Sequence, residues 1–361
     1  MTVVVAAASL PTVAPSAAAA TPCFGEKPTI RGTNGDDRLR GTRGRDVIHA
    51  LEGHDDIRGL GGDDLLCGGR GWDEIWGGGG DDSVSGGLSR DRWGLGDYLQ
   101  GGAGDDLLRG GRGRDFLQHG PGSDTFDGGP GDDTLRLFSS NDGARVDLAR
   151  GIATIGGVTD SVGRVERLIG TEYPDVLLGT ARDEILKGWG GDDRVKGLGG
   201  DDKLIGDGSA WCCSAVYRRD PTGRDYLSGG PGADTIRGDG NNDGGNDTIR
   251  GGDGPDTIYG DGLWSLGDSG PGRDRIFGGD GDDTIYGDHV SEWASEEPAT
   301  GPGAADTIDA GKDDDWIHGE GGPDSIGGGP GYDTANGGNG NDDCEEVESR
   351  ESCEAQAPTV K

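Results

Sequence analysis

From Gly32 onward, large apolar residues recur once in every nine positions, each two residues after an aspartate and fenced by glycines. Gly32–Arg40 reads GTNGDDRLR, and GTRGRDVIH, ALEGHDDIR, GLGGDDLLC, GGRGWDEIW and GGGGDDSVS follow in strict register to Ser85. The apolar position is Leu39, Ile48, Ile57, Leu66, Ile75 and Val84, and then Leu99, Leu108, Leu117, Phe126 and Leu135. The pattern predicts a Gly-Gly-x-Gly-x-Asp turn and a three-residue strand with one large inward residue at its centre. Glycine supplies the positive φ and close backbone approach that so tight a turn demands. One inward side chain per nine residues makes a thin core, which is covered only if successive units stack as in a solenoid.

The pattern resumes at Gly101 with GGAGDDLLR, GGRGRDFLQ, HGPGSDTFD and GGPGDDTLR, closing a first block at residues 32–136. A second block, 170–345, contains units such as GLGGDDKLI, GGPGADTIR, GGDGPDTIY, GGDGDDTIY and GGPGYDTAN. The sixth position is the informative one. In the first block it is Asp37, Asp46, Asp55, Asp64, Asp73, Asp82, Asp97, Asp106, Asp115, Asp124 and Asp133. In the second it is Asp193, Asp202, Asp225, Asp234, Asp247, Asp256, Asp274, Asp283, Asp306, Asp315, Asp324 and Asp333. Carboxylates repeated at this period stack in a file along each edge, where bare like charges repel. A hard divalent cation between successive turns removes the repulsion. Ca²⁺ suits it best, because it accepts six to eight oxygens in flexible geometry whereas Mg²⁺ demands a rigid octahedron.

At residues 32–136 and 170–345 the chain resembles the repeats-in-toxin, or haemolysin-type, calcium-binding proteins, whose nonapeptide is the one just described. The resemblance implies an all-β chain folded as a parallel β-roll, a β-solenoid with two nonapeptides per coil and alternate turns on opposite edges. It also implies several Ca²⁺ ions, each between turns two repeats apart, so that Asp37 shares an ion with the turn of Asp55 and Asp46 with that of Asp64. Residues 21–31 then form an N-terminal cap, 137–169 a strand-rich connecting segment between two rolls, and 346–361 a C-terminal tail. Glu184 stands where Asp is expected and Arg182 where the third glycine is expected, which weakens the case for an ion at that turn. Counted from Gly170, the enlarged units start at Gly206, Gly238, Gly260 and Gly287, the fifth, seventh, ninth and eleventh. All are odd, so all four insertions leave one edge. They carry Trp211, Cys212, Cys213, Tyr217, Arg218, Trp264, His289 and Trp293. The even edge, with Asp234, Asp256, Asp283 and Asp315, is expected to hold the cleaner ion ladder.

Composition sharpens this picture. Only 30% of the 361 residues are hydrophobic, glycine supplies 79, and the net charge is -35. Such a chain buries too little apolar surface to offset backbone ordering and self-repulsion unless periodicity and bound cations supply the difference. Nucleic acid and anionic membranes are poor partners, because no basic patch interrupts the acidity. Residues 1–20 differ from the rest: Val3 to Leu10 is apolar, Pro11 and Pro15 follow, and Ala18 to Ala20 suit a signal-peptide cleavage site, although no positive residue precedes the apolar run. The run is too short to span a bilayer. The expected location is therefore extracellular, and the six cysteines agree. Cys344 and Cys353 lie close enough to close a loop. Cys23 and Cys67 fall at opposite edges about two coils apart in this register, so a bond between them requires the N-terminal segment to fold across the roll end. Cys212 and Cys213 are left with either a vicinal bond or other partners.

Catalytic chemistry finds little support. Gly267-Asp268-Ser269-Gly270-Pro271 looks like the nucleophile segment of trypsin-like proteases, yet no base and orienting acid accompany it on a two-barrel scaffold. His49, His54, His119, His289 and His318 are dispersed, with no zinc helix, and most of them read as surface positions on the repeats. The sequence thus points to a secreted, non-enzymatic calcium-binding protein that folds on taking up Ca²⁺. The second reading is a structural or adhesive extracellular protein that uses Trp211, Trp264 and Trp293 to bind a glycan or a protein; a hydrolase would need a catalytic domain for which no stretch remains.

Overall fold

The computed structural model describes residues 23–88, 96–137, 141–207, 223–239, 244–261, 272–288 and 303–353. The expected signal segment, the bulk of the four insertions with their tryptophans and Cys212–Cys213, and the Gly267–Pro271 string all lie outside these residues.

Each nonapeptide yields the short strand its pattern predicts, as at Asp56–Arg58, Phe116–Gln118 and Thr284–Tyr286. Successive strands do not pair with each other. Each pairs in parallel with the strand two units away: Ile48 lies beside Leu66, Ile57 beside Ile75, and Ile258 beside Ile285. Two sheets result, of 17 and 15 strands among the described residues, facing one another across the core. No helix occurs among those residues. The middle residue of each strand points inward, and Ile57, Leu66, Leu108, Leu186, Ile236 and Ile285 are fully buried. The core is thus two stacked files of one side chain per strand, as the thin apolar pattern requires.

Both sheets run unbroken through the connecting segment. Thr125–Asp127 pairs with Val158–Gly163, and Thr134–Arg136 pairs with Arg167–Ile169. Ala144–Asp147 and Ile152–Ile155 add an antiparallel excursion within the first of the two sheets. Insertions leave the register untouched: Val195 pairs with Leu227, Leu227 with Ile249, and Ile276 with Ile308 across gaps of different length.

A disulfide joins Cys23 to Cys67, with Cα atoms 5.8 Å apart, and a second joins Cys344 to Cys353. The first corrects the edge assignment made from register. Ile30–Arg31, in the unit that Cys23 opens, joins the same sheet as Leu65–Arg70, through Val47–Glu52, and a tight turn at Cys23–Glu26 folds the chain back over it. The histidine expectation is also corrected in part: His49 and His119 are buried. His119 replaces the first glycine of its unit, a position that faces into the turn.

Candidate metal centre

The turn places its aspartate by two constraints. The strand two residues on must aim its apolar residue into the core, so the sixth-position side chain also turns inward. The glycine at position one has no Cβ, which leaves room for the carboxylate to curl back over it. An ideal Cβ on Gly41 would stand 2.6 Å from the Gly59 carbonyl oxygen and 2.8 Å from Asp46 Oδ2. The space is therefore lined by a carboxylate oxygen of one coil and a carbonyl oxygen of the next.

Adjacent coils are stitched through these acids. The backbone N–H of Asp37 donates to Asp55 Oδ1 at 2.8 Å, that of Asp46 to Asp64 Oδ1 at 2.7 Å, and that of Asp315 to Asp333 Oδ1 at 3.0 Å. The pairs Asp37/Asp55 and Asp46/Asp64 are thus neighbours, as the resemblance implies. The bonds continue through Asp73, Asp115 and Asp133 on one edge and through Asp82, Asp106 and Asp124 on the other. In the second block they link Asp202, Asp234, Asp256 and Asp283 along one edge, and Asp193, Asp225, Asp247, Asp274, Asp306 and Asp324 along the other.

One oxygen of each carboxylate is used in this way; the other is the chemically informative one. Oδ2 of Asp55, Asp64, Asp73, Asp82, Asp106, Asp115 and Asp133 is buried and accepts no hydrogen bond. The same holds in the second block for Asp193, Asp202, Asp225, Asp234, Asp247, Asp256, Asp274, Asp283, Asp306, Asp315, Asp324 and Asp333. A buried polar atom without a partner is costly, and a buried charge without one far more so. Burial accordingly pushes the carboxyls of Asp73, Asp82, Asp106, Asp133, Asp202, Asp256 and Asp315 up to about 7, and those of Asp55, Asp115, Asp234 and Asp283 up to about 6. Repeated orphaned carboxylate oxygens next to backbone carbonyls are the donor set of a hard oxygen-seeking cation.

The residue at position two divides the turns into kinds. Where it is threonine, the carboxylate is satisfied from within. Thr33 and Thr42 each donate both N–H and hydroxyl to Oδ2 of Asp37 and Asp46. Thr171 bonds both oxygens of Asp175 in the same manner, and Thr180 holds the carboxylate of Glu184. These are the first two units of each block, so Asp37 and Asp46 stand apart from the other position-six aspartates. Glu184 nevertheless keeps its place in the file, its N–H donating to Asp202 Oδ1 at 2.9 Å.

Several acids of the files were not singled out in the sequence. Asp160 takes the Asp124 N–H and Glu166 the Asp133 N–H, carrying both files into the segment without glycine turns. Each precedes an inward residue, Val162 or Leu168, by two positions, and Asp175 stands likewise before Leu177. That acid-x-apolar spacing was the available signal. His119, Asp124 and Asp160 bring ligand atoms within 4.8 Å of one another, as do Asp193, Asp207 and Asp225, and Asp225, Asp239 and Asp247.

The family model described as RTX calcium-binding nonapeptide repeat (4 copies) matches at residues 31–66, 67–92, 96–117, 119–142, 169–204, 222–244, 242–262, 268–288 and 301–335, well over half of the chain. No curated protein matches it.

Proposed function

The chain belongs to the RTX calcium-binding nonapeptide repeat proteins, and from that premise we propose that it is an extracellular protein whose roll forms as Ca²⁺ fills the space between stacked turns. The observation that carries this reading is the orphan Oδ2, buried and repeated along both blocks beyond the Thr-closed turns that open each of them. The ligands proposed are the position-six aspartates that own those oxygens, with neighbouring backbone carbonyls completing the shell. Ca²⁺ supplies positive charge there, and the chain's part is to hold the oxygens at a fixed spacing by the N–H to Oδ1 bonds. Where calcium is scarce, a net charge of -35 keeps the chain expanded. Where it is abundant, a site with free Ca²⁺ tenfold above its dissociation constant contributes roughly 1.4 kcal/mol, so about ten sites supply ~14 kcal/mol, the stability of a whole domain. Nothing in this reading requires a catalytic step.

Circular dichroism of the chain with Ca²⁺ and after EGTA tests it. Strand signal that collapses on chelation and returns on adding Ca²⁺ is expected; a signal indifferent to EGTA refutes the reading. A second role, adhesion to a glycan or protein, rests on the sequence, which puts Trp211, Trp264 and Trp293 in insertions whose bases share one edge. Quenching or enhancement of tryptophan emission by glycans in the presence of Ca²⁺ is its readout.

A further inference from the structure

The four turns of the second block that open into insertions carry aspartate at position two, whereas the enlarged turn of the first block keeps a glycine there, Gly87. Opposite the four, the same position holds Leu198, Gly230, Gly252, Gly279 and Gly311, all with positive φ. In the insertion-bearing turns it holds Asp207, Asp239, Asp261 and Asp288, each at least nine-tenths buried.

Each of these aspartates has two tasks. One oxygen fastens the base of the insertion, accepting the N–H of the residue where the chain re-enters the roll. Gly223 donates to Asp207, Gly245 to Asp239, Gly272 to Asp261 at 2.8 Å, and Ala304 to Asp288 at 3.2 Å. The other oxygen turns inward. Oδ1 of Asp261 and of Asp288 is buried and accepts no hydrogen bond, beside position-six carboxylates whose Oδ2 atoms are in the same condition. Ligand atoms of Asp193, Asp207 and Asp225 lie within 4.8 Å of one another, and so do those of Asp225, Asp239 and Asp247. At the Asp207 and Asp239 turns the interval between coils therefore faces three carboxylates, two from its own turn and one from the turn before, and the Asp261 and Asp288 turns repeat the same arrangement of position-two and position-six acids. Each interval on the opposite edge faces the position-six acids alone.

Three buried carboxylates at this distance cannot stay ionised without a counter-charge. They cannot rotate out to water either, since one oxygen of each is fixed by a backbone N–H. Calcium affinity rises with the number of charged ligands at a site.

We infer that Asp207, Asp239, Asp261 and Asp288 are cation ligands that work with the position-six aspartates, and that the insertion-bearing edge binds Ca²⁺ ahead of the unbroken edge. This rests on the calcium reading above and reverses the ranking of edges expected from the sequence. Because the same side chain that meets the cation also fastens the insertion base, cation binding and the anchoring of the insertions are one event.

The test is a Ca²⁺ titration of the calcium-free chain against a chromophoric chelator, for the wild type, for Asp261→Asn with Asp288→Asn, and for Asp256→Asn with Asp283→Asn on the opposite edge. Asparagine keeps an oxygen for the Gly272 and Ala304 N–H groups and removes only the charge. The wild type is expected to show a tight class and a weaker class of sites. The first double variant is expected to lower the number of ions in the tight class, the sites beside Asp261 and Asp288 weakening by roughly tenfold or more, and to leave the weaker class; the second is expected to lower the number in the weaker class and leave the tight one. A wild type with a single class of sites, or a tight class of unchanged size in the first variant, overturns the inference. A wild type that takes up no Ca²⁺ overturns the calcium reading itself. The single variant Asp261→Asn gives the same readout should the double variant not regain its strand signal in saturating Ca²⁺.

Discussion

A carboxylate two residues before an inward apolar side chain is the smallest unit that matters in this molecule, and what surrounds it decides its chemistry. Gly59 and Gly61 belong to one turn yet meet different surroundings. A Cβ on Gly59 would collide with Asp64 Oδ2 and stand 2.6 Å from the Gly77 carbonyl oxygen, whereas on Gly61 the nearest atom is 3.6 Å away. Gly59→Ala is expected to lower the melting temperature of the calcium-loaded chain and to remove a Ca²⁺ ion, at a cost of about 2 kcal/mol or more, while Gly61→Ala stays within about 1 kcal/mol. Thermal unfolding of both variants at one Ca²⁺ concentration checks the contrast, and equal losses would contradict the cradle described above. Titration follows from the same side chains. Their carboxyls rise from an ordinary 3.8 to about 7 when buried without a cation. A raised folded value means that proton binding favours the folded form; that stability is present below the unfolded value and is lost as pH rises through the folded one. In EGTA the strand signal is therefore expected to grow as pH falls from about 7.5 toward 5, and Ca²⁺ affinity to fall over the same interval as protons compete. Far-ultraviolet dichroism along that pH series is the measurement, and a flat signal in EGTA would count against it.

The strand and its turn are largely legible in the sequence, for a physical reason. A solenoid imposes the same steric demand at every step, so Ile48, Ile57, Leu66 and their successors announce the core by spacing alone. Pairing of strands two units apart was legible only through resemblance, since nine-residue spacing does not say which neighbour a strand chooses. The acids that escaped notice sit where glycines are missing or where a second function intrudes. Asp160 and Glu166 occupy the file without any glycine frame. Asp207, Asp239, Asp261 and Asp288 follow a glycine where the turn opens into an insertion, and there a sequence pattern cannot distinguish a solvated loop residue from one folded inward. Neighbouring strands also meet on the outer face, where the sequence gives no advance sign of contact. Arg237 lies over Tyr259, Tyr259 stacks on Tyr286 with centroids 5.1 Å apart, and Trp316 closes on Tyr286 edge-on. Such cross-strand contacts add stabilisation on a face that the thin core cannot reach.

At the scale of the whole molecule, stability is a sum over neighbouring coils, so the ends are the weakest places. Each end of the described roll carries a disulfide: Cys23–Cys67 ties the opening turn to the first sheet, and Cys344–Cys353 ties the last strands together. Reduction in saturating Ca²⁺ is expected to speed amide exchange near residues 30–40 and 343–351 while Ile249 and Ile258 in the middle stay protected. Exchange that rises uniformly, or first in the middle, would contradict this account. The two bonds have another consequence. A stack in which each coil offers the next the same parallel strand edge contains no instruction about where to stop, and an open strand edge invites pairing with another chain. The places where such an edge stands are the ones fastened covalently here, by the bond that pins the Cys23–Glu26 turn at one end of the described roll and by the nine-residue Cys344–Cys353 span at the other.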